Sequence, residues 1–395
     1  MKVILNLALG KELDMITFDK EKSIKGPYDI TRFASVFKKL EEGERVTVCF
    51  LGGSITRGSL SSRPDTCYAY RVYEWFKKTF PKAVIEYVNA GVGGTTSAFG
   101  AARVKTDVLS NDPDIVLVEF SVNDECNEYF MESYEGLIRK LLYSPKKPAV
   151  CALFNFFYEN GKTAERIHSK ITRYYGIPAA SMQGAIYEDI LSGKINDIAL
   201  LSPDGLHPND EGHDLLSKVV INLFEKLYDE CRENVLSGEK NNVKKPITGN
   251  SFESAMRLDN RNFSPFLSGF VADGSSQKDI SDCFKNGWLG SKKGDKIVFD
   301  LTGEFECSGI AVQYKKTIAR PAPVVTVTID GDTEGKVTID SAFDETWGDL
   351  LDLKQLFLHE KKSSPDACRA PRFIPSGPGA EQKPHQASFP QERFC

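Results

Sequence analysis

Long hydrophobic runs are missing from this sequence. Its N-terminus, Met-Lys-Val-Ile-Leu-Asn-Leu-Ala-Leu-Gly, is apolar only briefly, is interrupted by Asn6 and runs at once into Lys11 and Glu12. That makes a poor export signal, and no other stretch approaches the roughly 18 apolar residues that span a bilayer. A soluble protein without a membrane partner is expected. Dense Lys/Arg runs with interleaved aromatics are missing too. The 50 basic and 55 acidic residues leave a net charge of -5, which argues against nucleic acid as a partner. The nine cysteines are scattered and form no C-x-x-C pair, so neither a zinc knuckle nor a redox motif is indicated. Free thiols without an export signal fit a reducing cytoplasm. Histidine is scarce, with five in the chain.

What is present is enough for two domains. The chain has 395 residues, 41% of them hydrophobic, which supports a sizeable core. Thr31 to Glu42 reads as an amphipathic helix at the end of an N-terminal extension, residues 1–44, whose first 20 residues can add edge strands. Residues 45–231 then alternate short apolar runs with longer amphipathic ones. Val46–Leu51, Val84–Val88, Ile115–Phe120, Ala149–Phe154 and Ile177–Ala180 read as strands, apolar almost throughout, as strands buried on both faces of a parallel sheet do. Ala69–Phe80, Ser97–Leu109, Tyr134–Leu142, Ala164–Tyr175, Gln183–Leu191 and Glu211–Tyr228 read as helices. This β-α-β-α rhythm predicts a three-layer α/β sandwich.

Residues 232–248 are polar and rich in Lys and Asn, a linker. In residues 249–360 the grammar changes. Lys296–Leu301, Gly309–Tyr314, Val324–Ile329 and Lys336–Ile339 read as strands between turn residues, predicting a smaller all-β sandwich or jelly roll. Residues 361–395 form an irregular tail rich in Pro, Ser, Arg and Gln. Two readings stay open for it: a disordered segment, or a shifted reading frame after about residue 355 that removes the last strands of the sandwich and leaves an open edge. An intact mass of the natural protein separates them.

The first strand runs into Leu51-Gly52-Gly53-Ser54-Ile55-Thr56-Arg57-Gly58. Beyond the carboxyl ends of parallel strands lies the crevice where ligands bind, and glycines let substrate approach the backbone. By itself the segment also reads as an ordinary glycine-rich βα turn. It has neither the P-loop nor the dinucleotide-binding spacing. A serine nucleophile needs a base. His207 lies in Ser202-Pro203-Asp204-Gly205-Leu206-His207-Pro208-Asn209 before the last helix, with Asp204 close enough to hold its ring. That segment also reads as a plain helix-entry loop. His213, on the last helix, is expected to pack or face solvent, and His168 to be structural. Oxyanion donors can come from the loop Asn89-Ala90-Gly91-Val92-Gly93-Gly94-Thr95-Thr96-Ser97, which enters a helix. Another can come from the Asn123 amide in Phe120-Ser121-Val122-Asn123-Asp124.

Taken together and in this order, these blocks resemble the SGNH hydrolases, also called GDSL-like hydrolases, over about residues 45–230. In that family four blocks supply Ser, Gly, Asn and His in turn. The resemblance implies a flavodoxin-like parallel sheet with Ser54 as nucleophile and first oxyanion donor. It implies Gly94 as second donor through its N–H, Asn123 as side-chain donor, and Asp204 with His207 as the Asp-x-x-His block. It implies no metal and no organic cofactor. The usual Gly-Asp-Ser-Leu is Gly52-Gly53-Ser54-Ile55 here. This marks a subfamily, in which Arg57 or Asp124 is expected to take over the ordering role of the missing Asp.

The pairing with a β-sandwich resembles two-domain carbohydrate acetylesterases. The expected substrate is an acetylated oligosaccharide of xylan or mannan type, or another small ester. Trp288, Tyr314 and Trp347 are weak candidates for stacking on sugar, each also readable as core. A lysophospholipase or thioesterase of the same superfamily, a silent carbohydrate-binding protein and an interaction scaffold are the alternatives. A homo-oligomer is compatible with all of them.

Overall fold

The computed structural model describes residues 16–233, 243–275, 284–301, 307, 309–344, 350–358 and 371–376. The chain divides into two compact units, Met1–Met256 and Arg257–Cys395.

Among its described residues the first unit is built on a sheet of six strands: β1 (Ile24–Lys25), β2 (Arg45–Gly52), β3 (Val84–Gly91), β4 (Ile115–Glu119), β5 (Ala149–Phe154) and β6 (Ala179–Ser181). Their spatial order is β1-β6-β5-β4-β2-β3. All pairings are parallel except that of β1 on β6. Every residue of β4 and β5 is buried, the burial that their unbroken apolar character demands. Among the described residues of this unit the helices of ten residues or more are, in chain order, α1 (Thr31–Glu42), α2 (Tyr68–Thr79), α3 (Ser97–Asp107), α4 (Glu128–Leu142), α5 (Glu165–Tyr175), α6 (Met182–Leu191) and α7 (Asp210–Glu233). Apolar stripes on α1, α2 and α7 meet in an aromatic cluster, with ring centroids 6.3 Å apart for Phe33–Phe224, 5.1 Å for Phe37–Tyr228 and 4.9 Å for Phe76–Phe224. Burying each such ring contributes about 1.5–3 kcal/mol, so this cluster anchors that helical layer.

The chain leaves β2 for β3 on one side and returns to β4 on the other. The topological switch point therefore lies between the carboxyl ends of β2 and β4. Register brings the strand ends level, Gly52 pairing with both Gly91 and Glu119.

Helix α4 begins at Glu128, earlier than the apolar pattern from Tyr134 suggests. Asn127 caps it by accepting the Phe130 N–H at 3.0 Å, a local signal that periodicity does not carry. Most of the stretch expected to add N-terminal edge strands lies outside the described residues, and β1, at one edge of the sheet, begins beyond it at Ile24. Helix α7 continues to Glu233 into the stretch read as a linker. Its described end is strapped to α4: the buried Glu135 carboxylate accepts the N–H groups of Ile247 and Thr248 at 2.8 Å each.

The second unit is all β among its described residues. A five-stranded antiparallel sheet runs β13 (Val337–Asp340), β12 (Val324–Ile329), β15 (Pro371–Ser376), β10 (Lys296–Val298), β7 (Phe266–Ser268). Two further pairs join β11 (Gly309–Lys316) to β14 (Leu350–Leu358) and β8 (Val271–Ala272) to β9 (Trp288–Leu289). Ile297, Val327 and Ile339 are its buried hydrophobic centre. The irregular tail expected at residues 361–395 contains a strand, β15, paired with both β12 and β10. Pro371 and Pro375 hid it, because proline is normally kept off interior strands.

Candidate active site

Ser54 opens a single helical turn, Ser54–Arg57, directly after β2. Its N–H is thus one of the unfilled donors of a helix start. The position before it is crowded. A Cβ on Gly53 would lie 2.4 Å from Asn123 Oδ1, and 3.6 Å from the Thr95 carbonyl oxygen. A Cβ on Gly93 would come within 3.8 Å of Ser54 Cβ. The loops after β2, β3 and β4 therefore converge on Ser54. Gly94 takes φ +68°, the left-handed region that favours glycine.

His207 arrives from the loop before α7. Its Nε2 is 2.8 Å from Ser54 Oγ and its Nδ1 is 2.7 Å from Asp204 Oδ2. The other Asp204 oxygen accepts the N–H groups of Leu206 at 2.9 Å and His207 at 2.7 Å. Partial burial works against charge on Asp204, but the His207 ring and these two N–H groups outweigh it and hold the carboxyl down at about 2. The loops after Ser54 and His207 are tied to each other as well. Asp210, at the start of α7, accepts the Ser62 N–H at 2.8 Å and the Thr66 hydroxyl at 2.6 Å.

Asn123 Oδ1 is buried without a partner against Gly53. The other end of the amide, Nδ2, has no partner among the described residues and is the end left to donate. The structure thus brings Ser54, Gly94, Asn123, Asp204 and His207 to one rim. It does so at the switch point, where an ester carbonyl can meet a nucleophile, its base and hydrogen-bond donors.

Neither the Arg57 nor the Asp124 side chain bonds the turn at Ser54 among the described residues. Arg57 is exposed, its guanidinium beside Gly93, and the buried Asp124 bonds elsewhere. The residue that braces the turn is Glu119, the last of β4. The Thr56 hydroxyl lies 3.4 Å from its Oε2 and 2.9 Å from Tyr68 Oη. Complete burial pushes the Glu119 carboxyl up to about 7, despite the opposing pull of Asn155, the Gly53 N–H and Thr56. Sequence reading missed it, although an acid closing the otherwise apolar run Ile-Val-Leu-Val-Glu was a visible signal.

His213 packs, as expected. Its Nε2 is 3.2 Å from the Ser59 carbonyl oxygen and its Nδ1 accepts the Tyr68 N–H at 3.4 Å. Desolvation pushes its pKa down to about 4. Trp288 lies edge-on to Phe299 at 5.0 Å within the core of the second unit, and Tyr314 donates to Asp352 at 2.6 Å. Trp347, His359 and His385 lie outside the described residues. Among the described residues no group of three or more His, Cys, Asp or Glu is disposed to hold a metal ion, and no helix is long and apolar enough to cross a membrane.

The pattern of the GDSL-like lipase/acylhydrolase family matches residues 50–215. A crystal structure of a two-domain esterase (CEX) active on acetylated mannans is 44% identical to this chain. The match covers 92% of this chain and 95% of that one, with a TM-score of 0.85. A structure of such an esterase co-crystallised with mannopentaose is 43% identical, covering 93% and 96%, with a TM-score of 0.83. An acetylxylan esterase of Geobacillus stearothermophilus is 25% identical over 212 residues, which are 46% of this chain and 94% of the relative.

Proposed function

The chain belongs to the GDSL-like, or SGNH, hydrolase family, and on that premise we propose that it is a serine carbohydrate esterase removing O-acetyl groups from mannan- or xylan-type oligosaccharides. The observation that carries this reading is the unbroken chain Ser54–His207–Asp204, at 2.8 and 2.7 Å, on the rim where the three loops converge. The substrate class is supported by a relative that matches both units at 44% identity and is active on acetylated mannans.

In this reading His207 Nε2 takes the Ser54 proton as Ser54 Oγ bonds to the acetyl carbonyl carbon. Negative charge grows on the carbonyl oxygen, where the N–H groups of Ser54 and Gly94 and the Asn123 amide receive it. Each such donor is worth about 10²–10³ in rate. Collapse breaks the bond to the sugar oxygen, which leaves with the proton from His207. Water, deprotonated by His207, then releases acetate and restores Ser54. Asp204, held charged, keeps the Nδ1–H toward itself and stabilises the imidazolium that forms in both halves. A cytoplasmic place of action belongs to the same reading, supported by the free thiols of Cys49, Cys67, Cys126, Cys151, Cys231 and Cys307.

The test is acetate release from acetylated manno- and xylo-oligosaccharides, beside short- and long-chain p-nitrophenyl esters, for wild type and Ser54→Ala. Ser54-dependent release of acetate from the sugars is the expected result. Turnover of long-chain esters alone would move the chain to the lipase or thioesterase branch, and no turnover of any ester would leave a binding protein.

A further inference from the structure

Asp124 follows Asn123 directly and is buried, and its two oxygens reach different elements. Oδ1 accepts the N–H of Ser97, the first residue of α3, at 2.9 Å. Oδ2 lies 2.9 Å from His168 Nε2 on α5, with both side chains fully buried. The imidazole stacks on Tyr134 of α4, with centroids 3.7 Å apart and planes 10° apart. Ser97 Oγ is 2.6 Å from Ser133 Oγ of the same helix. Both Asn123 and Asp124 donate their own N–H to the Phe120 carbonyl, at 3.1 and 3.0 Å.

One carboxylate therefore ties the end of β4, the start of α3 and the middle of α5 together. Two of the three groups assigned above to the oxyanion lie in the tied pieces: Asn123 is adjacent to Asp124, and Gly94 is in the short loop that ends at Ser97. Burying a carboxylate is costly unless it is bonded, and charge-assisted bonds of this length are strong and directional. With its Nε2–H given to Asp124, His168 keeps Nδ1 as a buried acceptor without a partner among the described residues. A lone acceptor is tolerated better than a lone donor, so the geometry favours one direction for this bond.

We propose that Asp124 and His168 are a positioning pair for the oxyanion site, holding the Asn123 amide and the Gly94 N–H in place against Ser54 without touching substrate. The proposal rests on the roles given above to Ser54, Gly94 and Asn123. A pair that served only general stability would lower the melting temperature without singling out the chemical step.

The experiment measures kcat and KM on p-nitrophenyl acetate for Asp124→Asn, His168→Gln, His168→Leu, Asn123→Ala and the Asp124→Asn/Asn123→Ala double variant. Asp124→Asn is expected to lower kcat about 10- to 100-fold, as misplaced donors do, with KM close to that of wild type. The acid limb of the pH–rate profile should not move. His168→Gln, whose amide can still donate to Asp124, should keep several times the kcat of His168→Leu, although both lose the stack on Tyr134. In the Asn123→Ala background Asp124→Asn should cost much less than in wild type, because part of what it positions is already gone. Equal losses in His168→Gln and His168→Leu, or additive losses in the cycle, would overturn the proposal. If Asp124→Asn does not fold, His168→Gln completes the same cycle. Full activity in Ser54→Ala would instead bring down the site reading beneath it, whereas an inactive Ser54→Ala with an additive cycle would bring down the positioning pair alone.

Discussion

Two Asp–His pairs stand behind the same three loops, and they differ in what surrounds them. In the Asp204–His207 pair the residues are three apart in sequence and lie at the rim, with the Asp side chain 34% exposed. In the Asp124–His168 pair they are 44 apart and fully enclosed. Bond lengths hardly separate them, at 2.7 and 2.9 Å. The free ring nitrogen does. That of His207 meets the Ser54 hydroxyl at 2.8 Å and can exchange a proton with it. That of His168 meets no partner among the described residues. The same two side chains thus suit acid–base work in one place and positioning in the other, and the surroundings decide which.

Substitution at the rim is expected to separate the two pairs most widely. Ser54→Ala should lower kcat by about 10⁴-fold or more, and His207→Ala nearly as far, because nucleophile and base act as one unit. Steady-state rates of folded variants with unchanged circular dichroism check this. Retention of a tenth of wild-type activity in either would contradict it. Asp204→Asn comes next. It leaves the ring in place but lets it turn to the wrong tautomer, so a fall of about 10²–10⁴ in kcat is expected. A change confined to KM would show that Asp204 serves binding instead. Substitution in the enclosed pair should cost about 10- to 100-fold, which keeps the two pairs in separate classes.

A smaller effect is expected from an acid buried behind the rim. Glu119 has its folded-state pKa raised to about 7 by burial, against 4.5 for the free group. The folded state therefore holds a proton that the unfolded chain releases. This contribution to stability is complete below about pH 4.5 and is lost as the pH rises through about 7. Glu119→Gln removes the titration. The melting temperature of wild type, relative to that variant, should fall as the pH is raised from about 5 to about 8. His213 slopes the other way, its depressed pKa removing stability as the pH falls from 6.5 towards about 4. Because both proteins carry it, the difference between them isolates Glu119, and a difference that does not vary with pH would contradict its burial as an acid.

The rim was legible because its parts are local. Asp-x-x-His is closed by one turn, and Ser54, Gly94 and Asn123 each follow a strand whose apolar run is plain in the sequence. The interior was not legible. Nothing local joins Asp124 to His168, whose partnership is made by packing α5 beside the loop after β4. A Cβ at position 53 would meet the Asn123 amide oxygen, far along the chain, a crowding that no local pattern signals. In the second unit Val324–Ile329 was read to the residue, because it is a β-branched run between turn signals. Strand β15, with two prolines, was masked by a residue type that argues against interior strands.

In the proposed mechanism Ser54 forms the covalent bond to the acyl group. Wild type inactivated with a serine-directed fluorophosphonate and digested for peptide mass mapping should carry one adduct, on the peptide containing Ser54, in proportion to the activity lost. Ser54→Ala should take up no label at that site. Labelling of a different residue in step with inactivation, or ester turnover that persists with Ser54 fully labelled, would contradict it.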